Sequence, residues 1–120
     1  MNPGTTRPRI LVAEDEYFIV EEFIRSLTAS GAEIVGPAPT VGAAAALANA
    51  PGRLDGAVLD INLRGQMVYD VADMLLERRV PVVFTTGYDG TTIPSRYDLV
   101  PRFEKPVDPQ RVFRSLLGRS

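Results

Sequence analysis

Three acids stand in a row where an apolar run stops. Arg9-Ile10-Leu11-Val12-Ala13 reads as a buried strand, and it runs directly into Glu14, Asp15 and Glu16. The pattern returns in Gly56-Ala57-Val58-Leu59-Asp60, with Asn62 two residues on, and a further buried strand, Val80-Pro81-Val82-Val83-Phe84 with its proline at the entrance, leaves through Thr85, Thr86 and Gly87. A short last strand is read in Pro101-Arg102-Phe103-Glu104-Lys105-Pro106-Val107, which carries Lys105 and Pro106. Carboxylates brought close together repel one another unless solvent or a cation answers them. If the first and third strands are neighbours, Glu14, Asp15 and Asp60 converge, and a hard divalent ion such as Mg²⁺ suits a partial shell of carboxylates, carbonyl and water. Thr86 and Lys105 add a hydroxyl donor and an ammonium at the rim. A metal, a carboxylate, a hydroxyl and an ammonium are what phosphoryl transfer onto a carboxylate needs, because an ionised carboxylate attacks without a general base.

The composition removes competing chemistries. The 120 residues include no cysteine and no histidine, which excludes thiol nucleophiles, disulfides, imidazole bases and the usual zinc sites. A net charge of −2 gives no basic field for nucleic acid or an anionic membrane, so neither is an expected partner. No stretch approaches the roughly 20 apolar residues of a membrane span, and the polar start lacks the apolar centre of a signal peptide; the cytoplasm is the expected location. No glycine-rich phosphate loop follows any strand. Residues 1–8, with two prolines and no apolar periodicity, are expected to be a flexible tail, and 9–118 one domain.

The elements that must position these residues alternate. After the first strand, Val20, Phe23, Ile24 and Leu27 fall at helical spacing. The run Ala32-Glu33-Ile34-Val35-Gly36 is a second strand, and Thr40 is a plausible N-cap for the alanine-rich helix that ends at Pro51 and Gly52. After the third strand, Val68, Val71, Ala72, Leu75 and Leu76 trace another helical face. Gly90 and Pro94 leave any fourth helix over 88–99 short or irregular. Asp108-Pro109 makes an N-cap and first-turn pair for a last helix through Val112, Phe113, Leu116 and Leu117. Phe18, Phe23 and Phe113 are expected to be core or half-buried anchors. Continuous apolar strands alternating with amphipathic helices imply a doubly wound α/β domain, a five-stranded parallel sheet with helices on both faces. In the flavodoxin-like strand order 2-1-3-4-5, ligands gather at the carboxyl ends of the strands, where every polar residue above sits.

In this order and spacing the motifs resemble the receiver domain of two-component response regulators, of the small chemotaxis type, over Arg9 to Leu117. The resemblance implies that Asp60 is the phosphoacceptor and a metal ligand, Asp15 a direct Mg²⁺ ligand, and Glu14 a partner reaching the ion through water. It implies that Asn62 coordinates through its backbone carbonyl, that Thr86 and the Gly87 amide bind phosphoryl oxygens, that Lys105 pairs with the same group, and that the Lys105–Pro106 bond is cis. The run Phe84-Thr85-Thr86-Gly87-Tyr88 is similar to the Phe-Ala-Thr-Gly-Tyr of a group of single-domain receivers found in alphaproteobacteria. Strand alternation allows only one of Thr85 and Thr86 to face the site, and Thr86 is chosen because it precedes the glycine.

By the same resemblance the chain is a stand-alone phosphoacceptor, taking its phosphoryl group from a histidine kinase or histidine phosphotransfer protein. It would then signal by contact with a downstream protein or drain phosphate from a shared pool, as a monomer or weak dimer and not as an enzyme. One departure bears on signalling: ordinary receivers carry Tyr or Phe three residues before the lysine, where this chain has Arg102. Two other readings stay open, a receiver-fold interaction module that is not phosphorylated and a Mg²⁺-dependent phosphatase with an aspartyl nucleophile. The phosphatase usually needs a second acid two residues after its nucleophile, and position 62 is asparagine. Singly, each residue has a plainer role: Glu16 a solvated helix start, Asp60 a helix cap, Asn62 a turn former, Lys105 a surface lysine beside a proline.

Overall fold

The computed structural model describes residues 7–87 and 92–118. Five strands form one parallel sheet: β1 (Arg9–Ala13), β2 (Glu33–Ala38), β3 (Gly56–Asp60), β6 (Val82–Thr86) and β7 (Arg102–Glu104), in the order β2-β1-β3-β6-β7. That is the expected order 2-1-3-4-5, because β4 (Asn62–Leu63) and β5 (Gln66–Met67) form a separate small hairpin. Burial follows position in the sheet. Every residue of the central strands β3 and β6 is buried, whereas the edge strands β2 and β7 are largely exposed.

Strand alternation divides the core between two layers. Ile10, Val12, Val58 and Val83 pack against Phe23 and Leu27 of α1 (Tyr17–Ala29) and Val112, Phe113 and Leu116 of α4 (Pro109–Leu116). Leu11, Ala13, Leu59 and Phe84 pack on the opposite face, against Ala44 and Ala48 of α2 (Val41–Asn49) and Val71, Ala72 and Leu75 of α3 (Tyr69–Glu77). Each such Val, Leu or Phe, fully buried, contributes about 1.5–3 kcal/mol. The expected caps form: Thr40 Oγ1 accepts from Ala43 N at 3.1 Å and Asp108 Oδ1 from Gln110 N at 2.9 Å.

Two expectations are corrected. Phe18 is 83% exposed, because five residues at about 100° each turn it well away from Phe23 and the buried stripe; its ring meets that of the neighbouring Tyr17 edge to face. Leu76 is likewise exposed, one position past the face formed by Val68, Val71, Ala72 and Leu75. The hairpin β4–β5 has no counterpart in the sequence reading. It turns on Arg64 and Gly65, both at positive φ (51° and 87°), as a two-residue hairpin turn with the twist of its strands requires.

Of the doubtful stretch 88–99, residues 88–91 lie outside the described residues, and the rest holds a 3-10 turn, Ser95–Tyr97. Tyr97 fastens this turn. Its ring stacks on Tyr69 at 5.2 Å and meets Phe84 edge-on, and its hydroxyl donates to the Asp73 carboxylate and to Tyr69 O. Residues 1–6 of the expected tail are also outside the described set. Arg7 and Pro8 are held by hydrogen bonds: the Arg7 guanidinium donates to Gly31 O and Ala32 O, and Pro8 O accepts from Glu33 N at 2.7 Å. Among the described residues no helix is long and apolar enough to cross a membrane.

Candidate functional site

At the carboxyl end of the sheet the parallel registers bring four strand tips together. Ala13 lies beside Leu59, Asp60 beside Thr85, and Thr86 beside Glu104, so Glu14, Asp15, Asp60, Thr86 and Lys105 leave neighbouring strands at one level. They surround a cleft of about 340 Å³ whose lining includes Asp15, Asp60, Asn62, Thr86, Gly87 and Lys105. Carboxylate oxygens of Glu14, Asp15 and Asp60 all lie within 4.8 Å of one another. Thr86 lines this cleft, while Thr85 lines an adjoining groove, beside Phe23 and Pro106, that shares Glu16, Gly87 and Lys105 with the cleft.

Local backbone geometry explains the placement of each acid. Between Leu11 and Ala13 the β1–β2 register slips: Leu11 pairs with Val35 but Ala13 with Ala38. The extra residue in β2 is a bulge, and it delivers the Ala38 carbonyl to Glu14 N at 3.0 Å. Gly36 makes it possible. Its φ is +107°, and an added Cβ would stand 3.0 Å from Ala38 N and 3.1 Å from Val12 O. Glu14 then turns inward and accepts the amides of Asp15 (3.1 Å) and Glu16 (3.0 Å) on Oε2. The hairpin holds the other two acids: Asn62 N donates to Asp60 Oδ1 (3.2 Å) and Arg64 N to Asp15 Oδ2 (3.2 Å), while Gly65 N donates to Asn62 Oδ1 (2.7 Å).

Lys105 is the cation at the centre. Its Nζ lies 2.9 Å from Asp60 Oδ2, 3.1 Å from Glu14 Oε1 and 3.0 Å from Glu16 Oε1. Burial works against the ammonium, but its hydrogen bonds to Asp60, Glu16 and Glu14 outweigh this and push its pKa up. Burial first, and the Asp60 carboxylate second, push Glu14 up to about 7, against the pull of the Glu16 amide and Lys105. The folded chain therefore binds this proton more tightly than the unfolded one does. The resulting stabilisation is complete below the ordinary value of 4.5 and is lost as pH rises through about 7. In chelator, the urea midpoint is expected to fall between about pH 6 and about pH 8. In Glu14→Gln that part of the slope should vanish.

The donor set fits a hard cation. Three carboxylates within one ion's reach are oxygen ligands of the kind Mg²⁺ takes, and the Lys105 ammonium pairs with two of them, Glu14 and Asp60. The sequence-predicted residues Glu14, Asp15, Asp60, Asn62, Thr86, Gly87 and Lys105 thus lie together, and the Lys105–Pro106 bond is cis, as is Gly36–Pro37. Two contributors went unforeseen. Glu16 reaches Lys105 as well as opening α1, a pairing across 89 residues that no local pattern announces. The Arg64 amide on Asp15 depends on the hairpin, for which the Arg64-Gly65 pair was the available signal.

Solved structures agree with this reading. A solution structure of SdrG from Sphingomonas melonis Fr1 is 34% identical over 92% of this chain and 94% of its own, with a TM-score of 0.79. The BeF3-activated conformation of SdrG from Pseudomonas melonis Fr1, also 34% identical and covering 91% and 92%, superposes with a TM-score of 0.72. The non-phosphorylated HemR receiver domain of Leptospira biflexa is 26% identical over 93% and 92%, with a TM-score of 0.75. No family model and no curated protein matches the sequence. The likeness to these proteins runs nearly end to end, and with it the order of acid, acid, hydroxyl and ammonium along successive strands makes the chain a member of the response regulator receiver family of two-component systems.

Proposed function

We propose that this receiver accepts a phosphoryl group on Asp60 from a histidine kinase or histidine phosphotransfer protein, with Mg²⁺ held by Asp15 and Asp60, the Asn62 carbonyl, and Glu14 through water. The observation that carries the reading is the contact of Lys105 Nζ with both Asp60 and Glu14 on the wall of a cleft that Thr86 and Gly87 complete. A carboxylate oxygen of Asp60 attacks phosphorus; the new O–P bond forms as the P–N bond of a phosphohistidine, or the P–O bond of an acyl phosphate, breaks, and the leaving group takes the electron pair. The ion, when bound, supplies positive charge to carboxylate and phosphoryl oxygens. Lys105 offers the phosphoryl group a point charge, and the Thr86 hydroxyl and Gly87 N–H are directional donors. No proton need be removed from the nucleophile. SdrG, whose BeF3-activated conformation has been solved, supports the analogy. The phosphorylated chain then signals by contact with a downstream protein or by drawing phosphoryl groups from a shared pool.

Intact mass spectrometry after incubation with acetyl phosphate and Mg²⁺ tests this. One phosphoryl group is expected on the natural chain and none on Asp60→Asn. An unchanged mass, or a gain that survives Asp60→Asn, would refute the proposal. Turnover of a general phosphomonoester would favour a phosphatase instead, against which Asn62 stands where a second acid is needed.

A further inference from the structure

Lys105 is the single lysine of the chain, and it has one carboxylate partner more than the acceptor chemistry calls for. Asp60 and Glu14 are buried, 5% and 4% exposed, and belong to the acceptor and its acidic set. Glu16 does not. Its side chain is 61% exposed at the start of α1, yet its Oε1 stands 3.0 Å from Nζ, and its own amide ties it to Glu14. An ammonium has three N–H donors, and here each has a carboxylate within reach.

We infer that Glu16 is a positioning residue for phosphoryl transfer: it tethers Lys105 to the α1 side of the cleft and competes with incoming phosphoryl oxygens for the ammonium. The inference rests on Asp60 being the phosphoacceptor. When a donor docks, the ammonium must turn from Asp60 towards phosphoryl oxygens. The donor bound to Glu16 is withheld from that group, and the Glu16 charge repels the anion arriving beside it. Glu16 takes no part in the bonds made and broken; with acetyl phosphate the Asp60 oxygen gains phosphorus and acetate leaves with the electron pair. Removing the charge should therefore improve docking of the donor more than the chemical step. Because Glu16 is exposed, the effect should be modest, about two- to fivefold, and should shrink in high salt.

A lone lysine makes the contact directly observable. In protein labelled with ¹³C at the lysine Cε, the one resonance should shift in Glu16→Gln and stay in place in Glu21→Gln, a neighbouring change on the same helix. With Mg²⁺ and increasing acetyl phosphate, Glu16→Gln should reach half-maximal uptake at about two- to fivefold lower donor concentration, with the maximal rate little changed. Glu16→Asp, which keeps the charge on a shorter arm, should fall between. An unmoved lysine resonance, an unchanged half-saturation, or a gain confined to the maximal rate overturns the role of Glu16 and leaves Asp60 as acceptor. A natural chain that takes up no phosphoryl group overturns both.

Discussion

In Lys105→Met, the metal-free chain should lose about 3 kcal/mol of stability, because removing one partner of a buried ion pair leaves the other charge uncompensated. Two carboxylates lose their cation at once, Glu14 at 3.1 Å and Asp60 at 2.9 Å, and neither can turn to solvent. The cheapest relief is a proton on Glu14, which already titrates near 7. The deficit should therefore widen as pH rises through that value, since the proton is then no longer supplied. Urea unfolding in chelator, at a pH on each side of neutrality, measures the loss. Added Mg²⁺ should restore more stability to the variant than to the natural chain, because the ion answers the same carboxylates. Equal midpoints in chelator would mean that the acids are answered by something other than Lys105.

Gly36→Ala should be nearly as damaging, at about 3 kcal/mol, combining a left-handed backbone angle with a clash against main-chain atoms. The new Cβ would meet Ala38 N and Val12 O, which cannot swing aside as a side chain can. The loss reaches the site, because this bulge carries the carbonyl that Glu14 N finds. Reduced acetyl phosphate uptake should therefore accompany the lower unfolding midpoint. Gly42→Ala is the control: a Cβ there meets nothing within 4 Å, and its position in α2 favours alanine by about 0.5–1 kcal/mol.

The two glycines illustrate what could be read from residues alone. Both are plain letters in the sequence, and only the pairing of β1 with β2 distinguishes a glycine that a bulge requires from one that a helix tolerates. The central strands were legible because strands buried on both faces leave unbroken apolar runs ending in polar residues. The caps at Thr40 and Asp108 were legible because their chemistry is local. Asp15, Asp60, Thr86 and Lys105 were legible as a set because a parallel sheet gathers successive strand ends at one edge. Contacts between distant residues were not. The hairpin of two-residue strands is too short for any periodicity, and its turn places a non-glycine residue, Arg64, at positive φ. Glu16 looked like a helix start because it is one; its second role exists only once β7 lies three strands along from β1, across the tips of β3 and β6. Phe18 was misjudged because an aromatic residue was counted as core before its angular position on α1 was considered.

Tyr97 has a consequence for where the molecule breathes. Residues 92–101, which lead into β7, contain one 3-10 turn where the earlier strands are followed by helices of two turns or more. The grip of that segment on the sheet centres on one ring, stacked on Tyr69 and edge-on to Phe84, with its hydroxyl on Asp73; Ile93, Val100 and the exposed Arg96–Asp73 pair add to it. A helix would have set a longer row of fully buried side chains against the sheet, as α3 does with Val71, Ala72 and Leu75. With only one fully buried side chain among its anchors, the segment's amides should exchange with solvent through a local opening well before the central strands yield.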